Sequence, residues 1–384
     1  MKIPTPTTGD ISLYFHIPFC RKKCPYCHFF VIRDDLEKQK ILLRALINEI
    51  SQKEDLLKDK KIISIYFGGG TPFLFQTEFL KEVVEKIHAT KVSFSSDVEI
   101  SIEANPEDVS IEKIKHLKEI GFNRISIGVQ SLDDMLLKLL GRSHGKATIL
   151  EALNSIYKGG IENISIDLMY DVPNQTICSW QNTLIQLERL PISHISLYNL
   201  TIEPNTAFYR KKDMLIKMRP SGDISKEMLI RAVDSFEKLG FRRYEISAFA
   251  KNNKYSKHNV GYWLNRPCIG YGPSAFSYHN NERVQNYCNF AKYVNAILEE
   301  KSPVGFVDKI SEKEKVKEAF IISLRLTQGV DVALFEKRYG ELPSDAKEAV
   351  KRLYKEGYLQ KSKENISLTK KGLLFYDSVA SEII

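Results

Sequence analysis

Six short runs of β-branched and aliphatic residues, separated by stretches with helical periodicity, constrain this chain more than any other feature. The runs are ISLYFHI at 11–17, IISIYF at 62–67, DVEISIE at 97–103, RISIGV at 124–129, ENISIDL at 162–168 and HISLYNL at 194–200. Between them, LEKQKILLRALINEISQ, TEFLKEVVEKIHA and SIEKIKHLKEIG repeat apolar residues at helical spacing. In the last of these, Ser110 reads as an N-cap and Gly121 as the stop. Strands joined through helices pair in parallel, because each helix carries the chain back to the same end of the sheet. The expectation is an α/β fold, an incomplete TIM-like (β/α)6 barrel, with a doubly wound sheet as the alternative.

After about residue 205 the rhythm changes. Residues 225–239 read as a helix, whereas 241–290, rich in Gly, Asn and Tyr, give few regular signals. KEKVKEAFIISLRL and DVALFEKRYG read as helices, and SDAKEAVKRLYKEG leads into a candidate hairpin, YLQKSKENISL. Helices followed by a small hairpin predict a winged-helix-like module. The expected division is a barrel over 1–210, an extension over 211–300 and the C-terminal module over 301–384.

With 43% hydrophobic and 27% charged residues, the 384-residue chain has a globular composition and enough length for a large core. It contains no run of about 18 apolar residues, and its opening, MKIPTPTTGDIS, lacks the apolar stretch of a signal peptide. The expected location is therefore the reducing cytoplasm, which argues against disulfides among the six cysteines. Cys178, Cys268 and Cys288 are scattered and are expected to be small buried residues. The net charge of +8 comes with interspersed Lys and Glu, as in KEDLLKDKK, and so describes a solvated surface. No aromatic–basic platform accompanies it, and nucleic acid is not an expected partner.

In parallel α/β folds the chemistry gathers at the C-terminal ends of the strands. Here those ends carry, in order, the cysteine loop, Gly68-Gly69-Gly70-Thr71-Pro72, Glu103, Gln130, Asp167, and Asn199 with Thr201. Each feature alone has an ordinary explanation in turn or capping chemistry. Their convergence on one rim points to a ligand. Glycines let backbone approach it closely, Glu103 and Asp167 accept from amino or hydroxyl groups, and Arg142 pairs with a carboxylate. An amino-acid-bearing nucleoside would use all of these.

The loop CRKKCPYCHFF at 20–30 is open to several readings. Cys24-Pro25-Tyr26-Cys27-His28 fits the C-x-x-C-H of covalent haem attachment, which normally follows export. Cys20, Cys24 and Cys27 with His28 or His16 would make a Cys3His zinc site. The spacing C-x3-C-x2-C also suits a [4Fe-4S] cluster on three thiolates, with one iron left open to chelate S-adenosylmethionine.

The motifs resemble those of radical S-adenosylmethionine proteins related to oxygen-independent coproporphyrinogen III oxidase. YFHIPFC at 14–20 with the other two cysteines, GGGTP at 68–72, IEANPE at 102–107, ISIGVQS at 125–131, LGRSH at 140–144 and IDLMYDVPNQT at 166–176 carry the likeness. LYNLTIEPNT at 197–206 and YEISAFA at 244–250 extend it over nearly the whole chain. The resemblance implies a partial barrel of radical S-adenosylmethionine type. It implies Cys20, Cys24 and Cys27 as ligands of a [4Fe-4S] cluster. Tyr14, Gly69, Gly70, Thr71, Pro72, Glu103, Gln130, Arg142, Asp167 and Thr201 would surround S-adenosylmethionine.

Within that superfamily the oxidase branch typically has a fourth cysteine two positions after the third, where this chain has Phe29. That departure, and His258-Asn259-Val260-Gly261-Tyr262-Trp263, resemble the HemW branch, whose HNxxYW motif is associated with haem binding. His28 departs from the acidic residue common in that branch. This likeness implies a haem chaperone with three cofactors: the cluster, S-adenosylmethionine, and haem held through His258. Its implied partners are a respiratory, membrane-associated haem-acceptor protein and an electron donor for the cluster. The alternative is the oxidase itself, which decarboxylates coproporphyrinogen III oxidatively.

Overall fold

The computed structural model of the chain describes all residues except 1, 2, 5, 363 and 364. Six parallel strands form its centre: β1 (Asp10–Ile17), β2 (Lys61–Gly69), β3 (Ser93–Ala104), β4 (Arg124–Gln130), β5 (Asn163–Tyr170) and β6 (His194–Asn199). Each pairs in parallel with its neighbour in sequence. That order decides between the two expected architectures. A doubly wound sheet reverses its direction of growth at one point, and this one does not. Right-handed crossovers repeated in one direction put every helix on one face and curl the sheet into a partial barrel.

The two faces differ in chemistry. Leu13, Phe15, Ile65, Phe67, Ile100, Ile102, Ile125 and Ile127 share one core with helix residues such as Leu42, Leu46, Leu80, Leu117 and Trp180. The alternate residues face the barrel interior, and each strand places a buried serine there: Ser12, Ser64, Ser101, Ser126, Ser165 and Ser196. Period-two alternation thus gives an apolar outer face and a small, polar inner one.

The region 241–290, expected to be irregular, extends the sheet at both edges. At one edge, β7 (Arg242–Glu245) and β8 (Ala248–Ala250) run antiparallel beside β6. At the other, β9 (Cys268–Tyr271) pairs parallel to β1 and continues antiparallel through β10 (Phe276–His279), β11 (Glu282–Asn286) and β12 (Val304–Lys309). Cys268 is buried as expected, but Cys178 and Cys288 are exposed, correcting that expectation for both. They sit on a helix face and before a helix N-cap, where no packing demands burial.

Because β12 belongs to the large sheet, separate packing starts later than residue 301. A second core joins Phe320, Leu324, Phe335 and Leu353 across the helices Glu312–Leu324, Val332–Tyr339 and Ser344–Lys355. A three-stranded sheet of Val330–Asp331, Leu359–Ser362 and Asn365–Leu368 completes the helix-and-wing module. Ser311 and Glu314 form a capping box at its entrance, satisfying backbone N–H groups the first helical turn leaves free.

Candidate functional site

A cavity of about 470 Å³ opens at the C-terminal ends of the parallel strands. Cys20, Cys24, Cys27, Gly69, Gly70, Thr71, Glu103, Gln130, Arg142, Asp167 and Thr201 all line it. Of the expected residues, Tyr14, Pro72 and His258 are not among its walls.

The cysteine loop is held from three sides. Gly70 N–H donates to Ile17 O at 2.9 Å, and Thr71 N–H donates to Phe19 O at 2.7 Å. Thr71 Oγ1 lies 3.6 Å from Cys20 Sγ and accepts from Asn105 Nδ2 at 2.9 Å. Gly70 has to be glycine, since a Cβ would sit 2.6 Å from Phe19 O and 2.7 Å from Pro18 C. Pro72 is buried behind this turn and starts the short helix Pro72–Leu74. From the far side, Arg142 donates to Asn105 Oδ1 at 2.6 Å and Gly128 O at 2.9 Å, and reaches Cys24 Sγ at 3.4 Å. Glu107 fixes the segment behind Arg142, accepting from Ser143 Oγ at 2.5 Å and His144 Nδ1 at 2.7 Å. Burial alone would raise the Glu107 carboxyl, but those two bonds outweigh it and lower it to about 2.

Burial pushes the Cys20 thiol up to about 11, against the hydrogen bond from Thr71, and pushes Cys27 up as well. A bound metal offsets that resistance in Cys20 and Cys27, because it stabilises the thiolate directly. The zinc reading lacks its fourth ligand. His16 Nε2–H donates to Phe30 O at 2.9 Å, so Nδ1, 3.1 Å from Tyr14 Oη, accepts that hydroxyl. His28 is exposed and lies tilted against Phe29 with ring centroids 4.6 Å apart. Among the described residues, no group of three or more His, Cys, Asp or Glu side chains is arranged to hold a single metal ion. Three thiols from one loop, with no fourth among the cavity's lining residues, fit a multinuclear cluster with an open position better than one ion.

Two carboxyl groups also line the cavity. Glu103 accepts from Tyr66 Oη at 2.7 Å and Gly69 N at 3.1 Å, yet burial raises it to about 7, and Asp167 adds to the rise. Asp167 is raised to about 6 by burial, moderated by Ser196 and other donors; Ser126 Oγ stands 3.5 Å away. Both groups call for donors from a ligand. Arg142 Nε is buried without a hydrogen-bond partner among the described residues. Donor-seeking carboxyls, a spare guanidinium N–H and side-chain-free glycine backbone match the amino acid and ribose of S-adenosylmethionine. Gln130 reaches the cavity through a bulge between β4 and β5, with φ at 65°. Tyr14 sits one layer below; a Cβ on Gly68 would meet its ring at 3.1 Å and Glu103 Oε1 at 3.2 Å.

Sequence reasoning passed over Asn105, Ser126 and Tyr198, which also belong to this site. A signal was present: Ser126, Gly128 and Gln130 alternate along β4, as Asp167 and Met169 do along β5, and all of them line the cavity.

His258 lies at the other end of the barrel, on the helix Lys257–Trp263. It is buried, and burial, with Arg266 adding to it, lowers its imidazole to about 3. Arg266 only donates, and it donates to Ser12 Oγ at 2.9 Å. Ser12 Oγ in turn lies 2.9 Å from Ser64 Oγ, and Ser64 Oγ lies 3.1 Å from His258 Nδ1, a continuous hydrogen-bonded chain from Arg266 to the ring. The other ring nitrogen, Nε2, is hydrogen-bonded to Tyr262 Oη at 2.9 Å. Both nitrogens of His258 are thus engaged within the protein.

Comparison with known proteins agrees with this architecture. Residues 14–187 match the model of the radical SAM superfamily, and 310–375 match the HemN C-terminal domain. The chain is 33% identical over 372 residues to "Heme chaperone HemW" of Bacillus subtilis, covering 96% of this chain and 97% of that protein. It is 36% identical over 275 residues to "Radical S-adenosyl methionine domain-containing protein 1, mitochondrial" of Danio rerio, covering 71% of this chain and 61% of that one. In fold it is similar to coproporphyrinogen III oxidase (HemN) of Escherichia coli, with a TM-score of 0.85 at 24% identity over 97% of this chain and 89% of that one. On the near full-length identity, and with the three-thiol loop on a partial barrel, the chain belongs to the HemW family within the radical S-adenosylmethionine superfamily.

Proposed function

We propose that this protein is a haem chaperone that holds a [4Fe-4S] cluster on Cys20, Cys24 and Cys27, binds S-adenosylmethionine on the adjoining rim, and passes haem to an acceptor protein. The observation that carries the reading is the cavity wall itself. It offers three thiols and no fourth, with exposed Phe29 in place of the extra cysteine of the oxidase branch. Arg142 and Asn105 fix the loop, and Glu103 and Asp167 orient a donor-rich ligand against it. When bound, the cluster supplies one-electron chemistry at the sulfonium of S-adenosylmethionine.

Haem ligation by His258 requires the Lys257–Trp263 helix to release the ring from Ser64 and Tyr262. Tyr262 and Trp263, which are less buried, are placed to meet haem first. The test is an anaerobic haem titration of the cluster-loaded protein beside His258→Ala. One-to-one binding that weakens in the variant supports the chaperone and the ligand together. Unchanged binding keeps the chaperone and returns His258 to a purely internal role. Absence of binding by either protein, with turnover of coproporphyrinogen III, would replace this reading by the oxidase.

A further inference from the structure

Two basic tripeptides far apart in sequence meet at the mouth of the cofactor cavity. Arg21-Lys22-Lys23 lies in the cysteine loop, and Arg210-Lys211-Lys212 follows β6 and its trailing loop. Phe208 N–H donates to Pro25 O at 2.9 Å, and the Phe208 and Tyr26 rings lie 6.1 Å apart. The second tripeptide is therefore fixed beside the first. Lys22 and Lys23 line the cavity together with Thr201 and Glu203.

All six of these cations are exposed. Arg21 is paired with Asp108 at 2.5 Å. Lys22, Lys23, Arg210, Lys211 and Lys212 form no ion pair among the described residues; the side chain of Lys23 is held by Phe29 O at 3.0 Å. Of the neighbouring acids, Asp108 is taken up by Arg21 and Glu107 by His144, leaving exposed Asp213 and partly buried Glu203 with no ion pair among the described residues. Three large apolar side chains share the rim, Phe29 at 53%, Tyr209 at 40% and Met214 at 52% exposure. Unpaired cations around exposed aromatic and thioether groups make a surface for a negatively charged partner, with the apolar groups as anchors.

We propose that this rim is the docking surface of an acidic one-electron carrier protein, which reduces the cluster held in the same loop. The inference rests on the cluster reading given above. The favoured occupant follows from position: the patch lies on the loop that carries the three thiols, and electron transfer weakens steeply with distance. The step moves one electron from the donor, which is oxidised by one electron, to the cluster. No bond is made or broken, and no proton is required. Electrostatic steering accelerates such encounters by about 10–1,000-fold at low salt.

The experiment uses a reduced acidic flavodoxin as the probe donor and Arg210→Glu/Lys211→Glu, residues that do not line the cavity, as the variant. Cluster bleaching is followed by stopped flow with flavodoxin and, in parallel, with photoreduced deazaflavin as a small reductant. The expected result is a flavodoxin rate that falls about tenfold or more in the variant, and likewise in the wild type between about 50 and 300 mM salt, with the deazaflavin rate unchanged. A flavodoxin rate indifferent to both overturns the proposal while leaving the cluster intact. Variant-sensitive binding to phosphatidylglycerol vesicles with an unaltered flavodoxin rate overturns it in favour of a lipid surface. Should no cluster assemble, the reading in the previous section falls. The docking surface is then judged by flavodoxin binding to the cluster-free chain, where loss in the variant supports it and salt-independent or absent binding refutes it.

Discussion

Replacing Glu103 by Gln tests whether the rim is built to wait for a ligand. In the ligand-free protein the Glu103 carboxyl is raised to about 7, chiefly by burial, from an ordinary 4.5. The folded state then holds a proton that the unfolded state has released over the interval between those values. Stability contributed by Glu103 is therefore full below about pH 4.5 and is lost as pH rises through 7. A gap of this size amounts to about 2–3 kcal/mol of stability lost between pH 5 and 8, at about 1.4 kcal/mol per pKa unit. With an unfolding entropy of about 2 cal/mol/K per residue, a protein of this size loses about 3 °C in Tm for that change. Glu103→Gln removes the titration but also replaces one of the two oxygens that accept from Tyr66 Oη and Gly69 N–H by a donating amide. The variant's absolute stability is therefore mixed, and the informative quantity is the slope. Thermal melts of the ligand-free chain from pH 5 to 8 should show wild type losing about 3 °C more than the variant. Saturating S-adenosylmethionine should narrow that gap by favouring the ionised carboxylate. Parallel pH profiles in the ligand-free proteins would refute the reasoning, since they would mean that Glu103 ionises as freely folded as unfolded.

Gly70→Ala drives a Cβ against the Phe19 and Pro18 backbone, so iron and sulfide retained per chain should fall at least by half while the far-UV spectrum stays native. Arg142→Ala strands Asn105 Oδ1 and Gly128 O and frees the Cys24 side, costing about 2–3 kcal/mol in thermal or denaturant melts, and S-adenosylmethionine affinity should drop with it. Glu49 is a fully buried carboxylate accepting from Lys53, Gly272, Asn286 and Tyr293. Glu49→Ala should cost about 3–5 kcal/mol by leaving the Lys53 charge and three donors unpaired, read as early melting of the sheet edge by hydrogen exchange. An unchanged exchange pattern there would remove Glu49 from that role.

The six barrel strands, their order of appearance and the rim residues were legible in the sequence because they rest on local physics. Period-two alternation and βα spacing are properties of neighbouring residues, and a parallel βα unit delivers its functional side chains to one strand end whatever packs elsewhere. The serine of each inner face, from Ser12 to Ser196, was written in the same alternation. The quoted motifs added the cysteine loop and its glycine turn.

Pairing between distant segments is a different matter, and only the tertiary structure decided it. Cys268–Tyr271 is too short to announce itself, and it becomes a strand because β1, far earlier in the chain, offers an open edge. Thiol exposure at Cys178 and Cys288 depends on which helix face meets the sheet. His258 shows the point most clearly. Beside Tyr262 and Trp263 its sequence context suits a metal ligand, yet Ser64, backed by Ser12 and Arg266 from two other segments, occupies one ring nitrogen and Tyr262 occupies the other. Residue type and spacing define what a side chain is able to bind. Which of its atoms remain free is fixed by groups that only folding brings within hydrogen-bond distance.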